Sequence, residues 1–295
     1  MQFILIALIA VLLVTIYATL IERFWFAVRK EKLAILPKGS KDITILHISD
    51  IHMAPWQKRK QNWITGLAKL NPDLVINTGD NLGHPKAIPA TLDSLSSLTK
   101  LPGVFVNGSN DLFAPSARNP FKYFSSPSKQ HSNSHQRLDS ELLINDFKAA
   151  GWQDLNNSAT TITINGAKLS LLGTDDAHEG LADLKKIQST DASSDLVIGV
   201  THAPYLNILQ GLNDKGAEII FAGHTHGGQV CLPGGRALVT NCDLPTKYAR
   251  GLAKLELNGK SFWLNVCAGL GHSIYAPVRL FCRPEVRLLT LTAKN

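Results

Sequence analysis

Phe221-Ala-Gly-His-Thr-His-Gly-Gly-Gln229 is the stretch on which the reading of this chain turns. His224 and His226 stand one residue apart among small neighbours, straight after the apolar run 217–221. Alternate side chains of a strand share a face, so a His-x-His pair leaving a strand end is expected to aim both imidazoles at one point. Gly223, Gly227 and Gly228 leave the backbone free to turn tightly against a ligand. Alone, such a pair fits equally a polar turn whose histidines satisfy local hydrogen bonds. The company it keeps decides between the two.

Outward from that stretch, β-branched runs predict strands at 43–48, 73–77, 103–106 and 196–200, besides that at 217–221. Each ends in a polar group: Asp50 and His52, Asp80, the turn Gly108-Ser-Asn-Asp111, His202, and lastly His224 with His226. Helices are predicted over 57–70, 87–98 and 141–150, and after His202 to about Leu212. A hairpin turns at Asn165-Gly166, and strands near 254–257, 261–266 and 286–291 follow. The class is α/β, and such sheets gather ligands at the carboxyl ends of their strands.

Imidazoles, carboxylates and an amide oxygen suit divalent Mn, Fe, Zn or Co. Asp50, His52, Asp80, Asn110, His202, His224 and His226 offer more donors than one ion needs. Two ions sharing Asp80 would use them, at the separation of roughly 3.5–4 Å common in two-metal sites. Such a pair acidifies a bound water and clamps a phosphoryl oxygen, so hydrolysis of a phosphoester or phosphoanhydride is the expected reaction.

The series Asp50-x-His52, Gly79-Asp80-Asn81, Gly108-Ser-Asn-Asp111, Thr201-His202 and Gly223-His-Thr-His226 resembles the calcineurin-like metallophosphoesterase superfamily. The apolar start and the closing Gly269-Leu-Gly271 and Pro277-Val-Arg-Leu-Phe281 are similar to its membrane-associated bacterial YkuE/YaeI-like branch. The resemblance covers roughly residues 43–292 and implies a four-layer α/β/β/α sandwich, here preceded by one transmembrane helix. It implies Asp50, His52 and His226 on a first metal, Asp80 bridging, and His202 and His224 on a second with a residue of the Gly108 turn.

That turn departs from the family pattern, which has Gly-Asn-His-Asp or Gly-Asn-His-Glu. Either Ser109 coordinates and Asn110 faces substrate, or the loop shifts and Asn110 reaches the metal. The second is favoured, because an amide carbonyl is the better neutral oxygen donor. Both versions lack the family's imidazole acid, and general-acid help is typically worth about 10²–10⁴-fold. A substrate with a good leaving group is therefore expected, with His84 a candidate replacement acid.

No charged side chain occurs from Met1 to Ile21, and residues 3–14 are almost purely aliphatic. About 20 apolar residues span a bilayer as a helix. The basic start and small-residue cleavage site of a secretory signal are not convincing here, so a retained anchor is the preferred reading. Arg23, Arg29, Lys30 and Lys32 after the span outnumber Glu22 and Glu31, which places the body in the cytoplasm by the positive-inside tendency. The expected organisation is a transmembrane anchor and juxtamembrane segment at 1–33, a linker at 34–42, and a metallophosphoesterase domain at 43–295.

An anchored site makes a phosphorylated, lipid-linked substrate a candidate. The resemblance supplies one rival, a UDP-diacylglucosamine-type pyrophosphatase acting on a nucleotide-lipid. A rival of another class is a catalytically weak metal-binding membrane protein acting through partners. The net charge of +7 suits anionic lipid or phosphate, and with no recognition-helix, RNP or zinc-finger pattern no nucleic-acid partner is expected. Apolar residues at 44% and charged ones at 18% argue against disorder. Cys231, Cys242, Cys267 and Cys282 form no C-x-x-C pair; they are reduced thiols in a cytoplasmic body and up to two bridges outside it.

The polar stretch 115–140, with Arg118, Lys122, Lys129, His131, His135 and Arg137, is a candidate basic lid. His47 reads as a core residue. Asp175, Asp176 and His178 either border the site or serve a turn. His272 and Arg279 could bind phosphate, though structural roles are favoured.

Overall fold

The apolar start of the chain is helical. In this computed structural model, which describes residues 1–115, 137–188 and 191–294, α1 (Gln2–Ile16) continues through a wide turn at Tyr17–Ile21 and a tight one at Glu22–Phe24. The resulting 23-residue apolar helix, Gln2–Phe24, has the length and composition of a membrane span or a signal segment. Arg118, Lys122, Lys129, His131 and His135 of the basic stretch lie outside the described residues.

The body begins earlier than the sequence reading placed it. β1 (Ala27–Leu36) covers most of what that reading divided between a juxtamembrane segment and a linker. Next come β2 (Ile43–Ile48), α2 (Lys58–Thr65), β3 (Leu74–Asn77), α3 (Ile88–Leu95), β4 (Gly103–Phe105), the single turn α4 (Ser109–Leu112), α5 (Glu141–Ala149) and β5 (Gln153–Asp154). The second half runs β6 (Ser158–Ile164), β7 (Ala167–Gly173), β8 (Leu196–Thr201), α6 (Leu206–Asp214) and β9 (Ile219–Ala222). A small hairpin, β10 (Cys231–Leu232) and β11 (Arg236–Ala237), precedes β12 (Gly251–Leu257), β13 (Lys260–Val266) and β14 (Glu285–Ala293).

One six-stranded sheet has the order β1-β14-β2-β3-β4-β5 and the other β12-β13-β9-β8-β7-β6. Alternation along β2 shows why they stack. Ile43 and Ile45 meet Leu171, Ile198 and Phe221 of the second sheet, while Leu46 and Ile48 on the opposite face join Ile64, Leu95 and Phe147 of the helices. On the far side, Ile208, Leu209 and Leu212 of α6 cover Ile220 and Leu264. The layers are therefore α/β/β/α. Each such fully buried Ile, Leu or Phe contributes about 1.5–3 kcal/mol relative to exposure. His47 lies in the inter-sheet layer, edge-on to Phe221, with its two nitrogens 3.0 Å from Thr78 Oγ1 and 3.2 Å from Asn265 Nδ2.

Strands β2, β3 and β4 run parallel in one sheet, and β7, β8, β9 and β13 in the other. The loops leaving β2, β3, β4, β8 and β9 bring the polar groups predicted above to one edge of the sandwich.

Candidate metal centre

Asp50 and His52 leave β2 and Asp80 leaves β3, each with its backbone turned left-handed: φ is 47° at Asp50, 42° at His52 and 55° at Asp80. His224 and His226 do the same at 67° and 50°. This corrects the expected route to convergence. β9 ends at Ala222, so strand alternation does not aim the His-x-His pair. The left-handed kinks do so, a conformation that Asp, Asn and His enter more readily than most residues and that clusters at functional sites.

The kinks split the pair. His226 Nε2 faces His52 Nε2 at 3.2 Å and Asp50 Oδ1 at 3.5 Å. His224 Nδ1 instead faces His202 Nε2 at 3.3 Å. Asp80 stands between the two groups, with Oδ2 3.3 Å from His52 Nε2 and Oδ1 3.6 Å from His202 Nε2. The ligand atoms of Asp50, His52, Asp80 and His226 all lie within 4.8 Å of one another. Donors about 2.0–2.2 Å from one ion sit roughly 3.0–3.5 Å apart at ordinary coordination angles, so these spacings fit ligation.

The tautomers fit as well. His202 Nδ1 lies 2.7 Å from the Thr78 carbonyl, which can only accept, so a neutral ring would present the lone pair of Nε2. His224 Nε2 has the Asn241 carbonyl at 3.2 Å, with the Asn241 side-chain amide alongside at 3.3 Å. Donation to that carbonyl frees His224 Nδ1. With His202 protonated, Nε2–H can donate to His224 Nδ1 across 3.3 Å; with His202 neutral, both nitrogens are free to face a cation.

Without a metal, the carboxylates are balanced by a proton on His202. Burial alone would lower the His202 pKa, yet Asp80, Asp50 and Asp176 outweigh it and push it up to about 9. Burial pushes Asp50 up to about 6, against the pull of His202. Burial would raise Asp80 too, but His202, His52 and the Asn110 donors hold it well below the usual carboxylate range. Burial, with His178 and His202 for His224 and His52 and Arg279 for His226, depresses both imidazoles and keeps them neutral, as metal ligation requires.

The Gly108 turn behaves differently from the expectation. Ser109 Oγ donates to Asp176 Oδ2 at 2.7 Å, a carboxylate that borders His202. Asn110 turns its amide nitrogen, not its carbonyl oxygen, toward the site, donating to Asp80 Oδ2 at 2.7 Å while its backbone N–H reaches Oδ1 at 2.8 Å. It holds Asp80 rather than standing beside it as an oxygen ligand. Asp111 accepts from the backbone N–H groups of Asp80, Asn81 and Gly108 at 2.8, 2.8 and 3.0 Å, locking the β3 and β4 loops together.

His84 sits edge-on to Trp56 and accepts from the Lys86 N–H at 3.1 Å, contacts outside the cluster. Sequence reading left the role of His178 open. Its ring lies 5.0 Å from that of His224, and its Nδ1 is 2.9 Å from the Tyr205 hydroxyl. Arg279, whose structural role was favoured, is fully buried and donates to the carbonyls of Ala268, Gly269, Gly271 and His226. No local sequence signal gives these partners.

This fold and this cluster define a class. The chain belongs to the calcineurin-like phosphoesterase family, whose pattern matches residues 43–228, and is a metal-dependent phosphoester hydrolase. It is 27% identical over 275 residues to the phosphodiesterase YaeI of Escherichia coli strain K12, a match covering 92% of this chain and 90% of that one. It is 22% identical over 271 residues to the uncharacterized metallophosphoesterase YkuE of Bacillus subtilis strain 168, covering 90% and 84%.

Proposed function

We propose that this chain is a membrane-anchored, two-metal phosphohydrolase whose ions are divided by Asp80. The observation that carries the reading is the division itself: one oxygen of Asp80 faces His52 and the other faces His202. Asp50, His52, Asp80 and His226 would hold one ion, and Asp80, His202 and His224 the other. Two divalent ions there would supply Lewis-acid activation of water and neutralise charge on the phosphoryl oxygens.

The protein's part is to fix the donors in advance. Ser49 Oγ donates to Asp50 Oδ2 at 2.5 Å, and the His224 N–H lies 3.0 and 3.2 Å from the two Asp50 oxygens. Asn110 does the same for Asp80 with two donors. With Asn110 and not an imidazole at this position, the site suits phosphoesters whose leaving group departs without a proton. The 23-residue apolar helix supports a membrane location, with the body on the cytoplasmic side by flanking charge. Such a location favours amphiphilic phosphates as substrates.

The test uses the full chain, because removing residues 1–33 would cut through β1. Bound metal is counted, and aryl and alkyl mono- and diesters are assayed with added Mn alongside a nucleotide-lipid pyrophosphate. Hydrolysis of aryl diesters with two ions bound supports the reading. Fewer than two ions, or no turnover of any ester with Mn present, would overturn it.

A further inference from the structure

We propose that Glu22, in the turn that ends the N-terminal helix, is a positioning residue for His226, so that the helix completes the metal centre as well as anchoring it. The inference rests on the reading of His226 as a metal ligand. Glu22 is only 2% exposed although it follows an apolar helix. Its Oε2 accepts from the Phe281 N–H at 2.8 Å and its Oε1 from the Cys282 N–H at 2.7 Å. One turn earlier, the Ala18 carbonyl accepts from the Arg279 N–H at 3.1 Å. Three backbone donors of the segment 279–282 are thus fixed by the end of the helix.

The side chains of that same segment reach the site. Arg279 Nη1 donates to the His226 carbonyl at 3.2 Å, and the Cys282 thiol donates to the same oxygen at 3.3 Å. The guanidinium also passes 3.4 Å from His226 Nδ1. Its shorter bonds, 2.6 Å to Gly271 O and 2.8 Å to Ala268 O, tie down the loop after β13. Phe281 holds φ at 52°, a conformation an L-residue keeps only where surrounding bonds impose it. The bond from its N–H to Glu22 is such a restraint. Glu22 therefore acts on His226 through Arg279 and Cys282, as partners behind a ligand orient it and set its affinity.

A carboxylate is needed because two adjacent N–H groups each require an acceptor. Glutamine would offer one oxygen and turn its amide donor toward the other N–H. Both Glu22→Ala and Glu22→Gln are therefore expected to disturb the segment.

The experiment uses the full chain in nanodiscs with Mn2+ as the probe, its free concentration followed by electron paramagnetic resonance. Wild type is expected to bind two ions. Either variant is expected to bind one of them about tenfold or more weakly, the scale of loss seen when partners behind a metal ligand are removed. The other ion should be unaffected. KM at saturating Mn2+ should stay unchanged and kcat should recover with excess Mn2+, a split that a general loss of stability would not produce. Amide exchange on wild type needs no variant: because coupling is reciprocal, Mn2+ should slow exchange at Phe281 and Cys282. Wild-type affinity for both ions in the variants, or exchange at Phe281 and Cys282 indifferent to Mn2+, overturns the proposal. A wild type that binds no Mn2+ defeats the metal-centre reading itself.

Discussion

His52 Nε2 and His226 Nε2 lie 3.2 Å apart although 174 positions separate them in the chain. Burial depresses both rings, His52 to about 4 and His226 well below its ordinary value, so near neutral pH both are neutral and able to ligate a metal. A cation bound between them would replace the hydrogen bond they share. Stripping the protein with a chelator should abolish ester hydrolysis, and Mn should restore it. Metal at a hundredfold excess over its Kd should stabilise the fold by about 2.7 kcal/mol. His226→Ala should lower bound metal from two ions to one, measured by elemental analysis.

Gly223 leaves no room for a side chain. A Cβ there would collide with Ser49 Oγ and the Asp50 carboxylate. Gly223→Ala is expected to cost about 1–3 kcal/mol in thermal unfolding through overpacking. It should also weaken metal binding, since the displaced carboxylate is a proposed ligand. Unchanged metal affinity would mean that Asp50 lies outside the coordination.

Asp111 is a buried hub for three backbone donors. Asp111→Ala strands all of them, and each unsatisfied donor costs about 1–3 kcal/mol. A loss of about 3 kcal/mol or more in chemical denaturation is expected, larger than for Ser109→Ala, whose single bond goes to Asp176.

Asn110→His restores an imidazole where the family carries one. Turnover of alkyl esters is expected to rise by up to about 10²-fold, with aryl esters changed far less, because only a poor leaving group gains from protonation. His84→Ala should change kcat by less than about twofold, since its contacts lie on the Trp56 loop. Equal gains for alkyl and aryl esters in Asn110→His would show that leaving-group protonation does not limit the rate.

His47 sets a pH dependence of stability. Burial, followed by the charge of Arg287, lowers its pKa from 6.5 to about 3. The folded ring stays neutral while the unfolded chain binds a proton below pH 6.5. Its contribution is therefore complete above that pH and is lost as pH falls toward 3, at no more than about 1.4 kcal/mol per pH unit. Denaturation curves of His47→Gln against wild type should converge through this window.

The six side chains brought together at the site were legible because each sits just beyond a run that could only be a buried strand. What brings them to the right angles was not legible. Left-handed backbone at Asp50, His52, Asp80, His224 and His226 leaves only a weak mark on residue identity, since Asp and His favour it more than most residues yet occur mainly elsewhere. β1 was missed for a different reason. Arg29-Lys30-Glu31-Lys32 reads as a flank of a membrane span, but a charged, exposed run is also how an edge strand avoids further pairing. That Asn110 presents its amide nitrogen to Asp80 is likewise invisible in its identity, since either end of the amide could face the site.

The parallel pairing of β1 with β14 joins Ala27 to Glu285 and Val28 to Val286. The first sheet consequently stays open at that edge until β14, far later in the chain, is available to pair. A helix already inserted in a bilayer would hold β1 waiting beside the lipid, with Leu33 and Ile35 uncovered for the whole of that interval. Such long-range closure is expected to slow folding and to expose apolar strand surface while it is pending.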